Sequence, residues 1–157
     1  MTQEKKELAV AALRNGTVID HIPSSALFKA VRILGIEDIT TPVTIGNNLP
    51  SRRLGAKGII KVADVEYPES VINRIAIIAP SARINVIRDF DVVEKRTVQL
   101  PDTVVGLVKC DNPKCITNNE PMKTVFHVVD RDSDTEHVVL KCHYCNHTVD
   151  NRHVRLL

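Results

Sequence analysis

Residues 16–35, GTVIDHIPSSALFKAVRILG, join a strand to a helix in one run. Thr17 to Ile22 is rich in branched residues and ends at Pro23, which cannot donate to a sheet ladder, so it reads as a strand. Ser24 and Ser25 are placed to cap a helix in which Leu27, Val31 and Leu34 recur at helical spacing, with Gly35 set to end it.

Working outward, Val43 to Leu49 and Gly58 to Ala63 are two further strands, and Pro50, Ser51 and Gly55 between them suit a hairpin turn. Pro68 and Glu69 open a second helix whose buried face is Ile72, Ile75, Ala76 and Ala79, and Pro80 closes it. Arg83 to Arg88 and Asp91 to Arg96 are two more strands. The order strand, helix, strand, strand, helix, strand, strand predicts an α+β unit with both helices on one face of an antiparallel sheet. Helical periodicity stops at Leu100, Pro101 and Asp102, and the domain boundary is placed there, giving residues 1–100 and 101–157.

All four cysteines lie in the last third: Cys110 and Cys115, then Cys142 and Cys145. The strands Thr124 to Asp130 and Glu136 to Lys141, joined by a turn at Asp132, Ser133 and Asp134, bring the second pair back beside the first. Four thiolates from two short loops close a tetrahedron around zinc and leave no open position for water, so the site is structural. A segment this small lacks the area for an unaided core, which disfavours four merely buried cysteines. His143 and His147 stand near the second pair, but four cysteines already complete the shell. His21, His127, His137 and His153 have no such grouping.

Composition narrows the function. A 43% hydrophobic content supports a core, yet aromatics are 3% and tryptophan is absent, so Ile, Val and Leu fill it. The net charge of +2, with three Phe and two Tyr for stacking, argues against the chief alternative, a nucleic-acid-binding zinc ribbon. The sequence has neither a signal-peptide pattern nor an apolar run long enough to span a bilayer, and it reads as cytoplasmic. Lys61 interrupts the apolar run Ile59, Ile60 and Val62, and alternation puts it on the face opposite Ile60 and Val62. Were that face to line a groove, Lys57, Lys61 and Lys95 would converge on phosphate; as isolated strand lysines they would simply be solvated. The Gly-rich loop and lysine of a phosphate cradle are missing, so a nucleotide would bind another way. Asp20 and His21, adjacent on a strand, are expected to point to opposite faces, which excludes them as an acid–base pair.

Several segments together resemble the regulatory chain of aspartate carbamoyltransferase: GTVIDHIP at 16–23, TIGNNLPS at 44–51, Ile60-Lys61, Ala79-Pro80, and the cysteine pattern with Glu120-Pro121. The resemblance implies a non-catalytic subunit of pyrimidine biosynthesis. It implies a five-stranded antiparallel sheet with two helices on one side, ferredoxin-like, followed by a small all-β zinc domain of the zinc-ribbon, rubredoxin-like kind. Cys110, Cys115, Cys142 and Cys145 match its Zn2+ ligands. Its nucleotide contacts carry over to Asp20 and His21 beside base and ribose, to Lys61 and Lys95 as ribose and phosphate partners, and to Lys57 as a further phosphate contact. Val10, Ala12, Leu13, Val18, Asn85, Ile87 and Val92 match positions lining the base and sugar pocket. Asn112, Glu120 and Tyr144 match residues that dock on a catalytic chain. Partners so implied are CTP, UTP and ATP, a second regulatory chain, and catalytic chains in an assembly of two trimers bridged by three regulatory dimers. Neither nucleic acid nor membrane is implied. The chain departs from relatives at Ala11 and Phe90, where some carry glutamate and tyrosine, and at Lys114 and His147 near the cysteines.

Overall fold

A computed structural model of the chain describes residues 12–132 and 135–157. The chain divides into two compact units, one reaching Val98 and one beginning at Gln99. Among the described residues, no helix is long and apolar enough to cross a membrane.

The first unit runs β1 (Gly16–Pro23), α1 (Leu27–Ile33), β2 (Val43–Ser51), β3 (Gly55–Ala63), α2 (Glu69–Ile78), β4 (Arg83–Arg88) and β5 (Asp91–Thr97). The strands form one antiparallel sheet in the order β2-β3-β1-β4-β5. This is the split β-α-β arrangement with an extra edge strand, the five-stranded ferredoxin-like sheet that the family resemblance implied and an antiparallel sheet as the order of elements predicted. Branched residues set the inner face: Ile19, Ile60 and Ile84 lie side by side on β1, β3 and β4, and each is at most 1% exposed. Leu27 of α1 and Ile72, Ile75 and Ala76 of α2 are buried with them. With no tryptophan to fill space, isoleucine supplies much of the core.

Helix α1 begins differently from expectation. Ser24–Ala26 form a 3-10 turn, the α-helix starts at Leu27, and neither serine makes a side-chain cap. Pro23 fixes the entry, and the Leu27 amide donates to the Ser24 carbonyl instead. Ala30 rather than Val31 is buried on this helix. Gly35 does end it, in a left-handed conformation at φ 63°. Pro68 stands at the N-cap of α2, one position earlier than the first turn. Pro50 and Ser51, expected in a turn, are paired with Ala56 and Gly55, so the β2–β3 turn shrinks to the three residues between Ser51 and Gly55.

The second unit carries β6 (Thr103–Val105), β7 (Val108–Lys109), β8 (Val125–Asp132), β9 (His137–Cys142), β10 (Thr148–Asp150) and β11 (Arg155–Leu156). They form a sheet of order β10-β9-β8-β6 and a small β11-β7 ribbon. Asp132 extends β8 and pairs with His137 rather than entering the turn, and residues 133 and 134 of that turn lie outside the described residues. Phe126, Val138 and Leu140 form this unit's core, each at most 1% exposed. The buried Asn151 accepts from the Val138 amide and donates to the Glu136 carbonyl, tying the segment after β10 to β9.

Candidate metal centre and basic sheet face

The metal centre is built from two loops, one following β7 and one ending β9. Asn112 organises the first. Its side-chain oxygen accepts from the Lys114 amide at 3.0 Å and its carbonyl accepts from the Cys115 amide at 3.0 Å. The Asn118 amide group clamps the same loop by donating to the carbonyls of Cys110 and Asn112. In the second loop Asn146 takes a left-handed φ of 63°, and the Cys142 amide donates to the His147 carbonyl.

These turns bring all four cysteine sulfurs within 4.8 Å of one another. Cys110 lies 3.5 Å from Cys145 and Cys115 lies 3.7 Å from Cys142, each pair drawn from different loops. A disulfide needs sulfurs about 2.05 Å apart, so these are not bonded pairs. A tetrahedron with metal–sulfur bonds of about 2.3 Å has edges of about 3.8 Å, which these separations match. Burial pushes the Cys110 and Cys142 thiols up. Cys145 also feels burial, but the His147 amide, the Asn112 side chain and the neighbouring thiols outweigh it and bring it to about 6. A divalent cation reverses the penalty on buried thiolates, so the donor set fits a thiophilic metal.

The two nearby histidines are engaged elsewhere. His143 Nδ1 is 2.9 Å from His127 Nε2, and His147 Nε2 is 3.7 Å from an Asp111 carboxylate oxygen. Tyr144 and Glu120 are exposed, whereas Asn112 is half-buried and committed to the cysteine loops. The supporting roles of Asn112 and Asn118 were missed in the sequence; asparagines at and just beyond the cysteine loops were the available signal.

In the first unit, β-sheet register assembles the other candidates. Thr44, Lys61, Val18, Asn85 and Lys95 pair in succession across β2, β3, β1, β4 and β5. Residues directly opposite in a ladder share a face. The adjoining row of Ile19, Ile60 and Ile84 faces the helices, so this row faces away from them, as the alternation around Lys61 predicted. Burial lowers the Lys61 pKa, with the Asp20 carboxylate opposing. Ile87 and Val92 pair next along the same face; Ile87 is buried and Val92 exposed. A bulge in β5 between Val92 and Glu94 is what puts Val92 and Lys95 on one side. Ala12 is exposed and Leu13 half-buried, while Val10 and Ala11 lie outside the described residues.

Asp20 and His21 correct the expectation of opposed side chains. Between Ile19 and Ile22, β1 holds one residue more than β3, and His21 adopts a left-handed φ of 61°. This bulge turns the imidazole back, placing His21 Nδ1 3.4 Å from Asp20 Oδ2. Asp20 accepts from the Lys57 ammonium at 3.0 Å and from the His21 amide at 2.7 Å. Burial lowers the His21 pKa; Asp20 opposes, while Lys57, Arg83 and Arg53 add to the lowering. Arg83, absent from the sequence-derived set, pairs directly with Asp20 across the sheet. Among the described residues, this face therefore carries Lys57, Lys61, Arg83 and Lys95 beside the carboxylate of Asp20.

Comparison with known proteins agrees over both units. Residues 8–99 match the family described as aspartate carbamoyltransferase regulatory chain, allosteric domain, and residues 102–155 its metal binding domain. Similar proteins named aspartate carbamoyltransferase regulatory chain include one from Parabacteroides distasonis, 55% identical over 97% of this chain and 96% of its own length. Another from Bacteroides fragilis is 57% identical over 92% of each chain. An archaeal one from Pyrococcus abyssi is 42% identical over 94% of this chain and 96% of its own.

Proposed function

The chain belongs to the family of aspartate carbamoyltransferase regulatory chains, and from that premise we propose that it senses nucleoside triphosphates on the open face of its first unit and relays their binding to catalytic partners. It is a non-catalytic subunit. CTP, with UTP as a co-ligand, and ATP compete for the face and exert feedback control on pyrimidine synthesis. The observation that carries this reading is the unbroken row Thr44, Lys61, Val18, Asn85, Lys95, which sets two cations on either side of an amide and an apolar platform. Lys61 and Lys95 meet ribose and phosphate, Asp20 and His21 flank base and ribose, and Lys57 reaches a phosphate. Val18, Asn85, Ile87 and Val92, with Val10, Ala12 and Leu13, line the base and sugar.

In the second unit zinc bound by Cys110, Cys115, Cys142 and Cys145 fixes the loops that carry Asn112, Glu120 and Tyr144, and these dock on a catalytic chain. The metal supplies folding free energy, leaves no coordination position open, and takes no part in a reaction. First units pair as a regulatory dimer, and three dimers bridge two catalytic trimers. A ligand biases such an assembly only by its differential affinity for two quaternary states.

Calorimetric titration of CTP, UTP and ATP into the full chain, with Lys61→Ala and Lys95→Ala beside it, tests the sensing role. Saturable binding that both variants weaken at least tenfold is expected; a folded chain that binds none of the three at millimolar concentration sinks it. Native mass spectrometry with cognate catalytic trimers, before and after zinc removal by a mercurial, tests the docking role. Assembly that persists without zinc refutes the division of labour.

A further inference from the structure

We propose that Cys145 is an oxidation site, at which a hydroperoxide starts a Cys110–Cys145 disulfide that opens the metal centre and releases its ion. The inference rests on the metal reading above and adds an order among the four thiolates: Cys145 reacts first, Cys110 resolves it, and Cys115 and Cys142 follow.

Packing separates the four sulfurs. Cys110, Cys115 and Cys142 are each at most 1% exposed, whereas Cys145 is only half-buried. Cys142 ends β9 opposite the buried Phe126 of β8, so the sheet itself covers that thiol. Access to a thiolate decides which cysteine an oxidant reaches first. Cys145 combines that access with a partner from the other loop, since its sulfur lies 3.5 Å from that of Cys110. The remaining cross-loop pair, Cys115 and Cys142 at 3.7 Å, has both members buried.

The loops hold the reacting pair together. Asp111 follows Cys110, His147 stands two residues beyond Cys145, and their side chains meet at 3.7 Å, so a second contact ties the loops beside this sulfur pair. In the first step the Cys145 thiolate attacks a hydrogen peroxide oxygen, the O–O bond breaks, and a sulfenic acid and hydroxide form. In the second the Cys110 thiolate attacks the Cys145 sulfur and displaces hydroxide, leaving a disulfide. Two thiolates are oxidised and one peroxide is reduced. Bond formation closes the 3.5 Å separation to about 2.05 Å. Two of the four donors are then consumed, and the remaining pair cannot close a tetrahedron. A dithiol reductant restores the set.

The test treats the full chain, its zinc content measured beforehand, with hydrogen peroxide while a chromogenic chelator reads released zinc. Alkylation and tryptic mapping identify the first disulfide, because cleavage after Lys109, Lys114 and Lys141 puts Cys110, Cys115 and the Cys142/Cys145 pair on separate peptides, and fragmentation tells Cys142 from Cys145. Zinc release in step with a Cys110–Cys145 link, reversed by a dithiol and fresh zinc, is expected. A first link between Cys142 and Cys145 or between Cys115 and Cys142, or release with no disulfide, overturns the proposal. Cys145→His keeps a four-ligand set of three cysteines and one histidine but cannot form the link, so it should slow release about tenfold. Cys115→His should change the rate less than about twofold. Equal slowing by both overturns the order of attack. If either variant fails to hold zinc, the wild-type map decides alone. A wild-type chain that carries no zinc refutes the metal reading, while the map still decides the pairing.

Discussion

Replacing Gly58 with alanine tests whether the helix layer and the basic face are mechanically joined through β3. A Cβ at Gly58 would lie 2.5 Å from Leu27 Cδ1, 3.3 Å from Leu27 Cβ and 3.2 Å from Asn47 Oδ1. Ordinary carbon contacts fall at about 3.5–4.0 Å, so the Leu27 side chain must retreat by about 1 Å. Leu27 is fully buried at the first position of α1, so its displaced side chain must repack among core neighbours rather than swing into solvent. Overpacking of this kind costs about 1–3 kcal/mol. The backbone at Gly58 is not left-handed, so alanine also gains about 0.4–1 kcal/mol by restricting the unfolded chain. The net expectation is destabilisation of about 1–2 kcal/mol, which for a unit of this size lowers its Tm by roughly 5–15 °C. Because the chain lacks tryptophan, the assay is circular dichroism of thermal and urea unfolding, with zinc content followed in parallel. The first unit's transition should move and zinc retention should not. Truncating Leu27 in a Gly58→Ala background should restore part of the loss, with a coupling of about 1 kcal/mol. A neutral or stabilising Gly58→Ala, or strict additivity with the Leu27 truncation, refutes the clash as the cause.

Three other outcomes follow from single features. Asp89 and Phe90 form a two-residue turn with φ of 48° and 68°, and the exposed Phe90 ring gains little by burial, so Phe90→Asn should stabilise by about 1 kcal/mol; an unchanged urea midpoint argues against strain there. Cys142→Ser should abolish stoichiometric zinc and the second unit's folding signal while leaving the first unit's melting unchanged, and joint loss of both transitions contradicts the two-unit division. His21, its pKa lowered chiefly by burial, contributes stability that is present above its unfolded value and lost as pH falls below it, and His21→Asn should flatten that acid limb of urea midpoints.

Much of this architecture is legible from local pattern. Strand β1, the Gly35 stop, the facing of Lys61 and the four-cysteine cluster each follow from a periodicity or spacing that tertiary contacts reinforce. What escapes the sequence is non-local or depends on an inserted residue. The serines at 24 and 25 lose their capping role because Pro23 leads into a 3-10 turn whose own carbonyl serves the Leu27 amide. The nearness of Arg83 to Asp20 is a matter of register between strands 63 residues apart, which no window of sequence contains. Asp20 and His21 mislead for a third reason, since alternation holds only where the ladder is regular.

That exception has a functional consequence. A sheet face that has no glycine-rich phosphate loop and, among the described residues, no helix N-terminus beside it must gather charge from side chains on a pleated surface, and strict alternation spends half of them on the core. Bulges undo this locally. The one in β1 keeps Asp20 and His21 within 3.4 Å, and the one in β5 keeps Val92 and Lys95 on the same side. The β1 bulge places a non-glycine residue, His21, at positive φ, a conformation that costs about 1–3 kcal/mol and persists only where surrounding structure enforces it. From Lys61 on β3 to Lys95 on β5 the row crosses three strand spacings, about 14 Å at about 4.8 Å each. A ligand gripped at both ends of that row joins the inner strand β3 to the edge strand β5, so its binding free energy depends on how far apart the sheet holds them. A quaternary change that alters the twist between β3 and β5 would then alter ligand affinity without touching a contact residue, which is the reciprocal coupling that a regulatory chain requires.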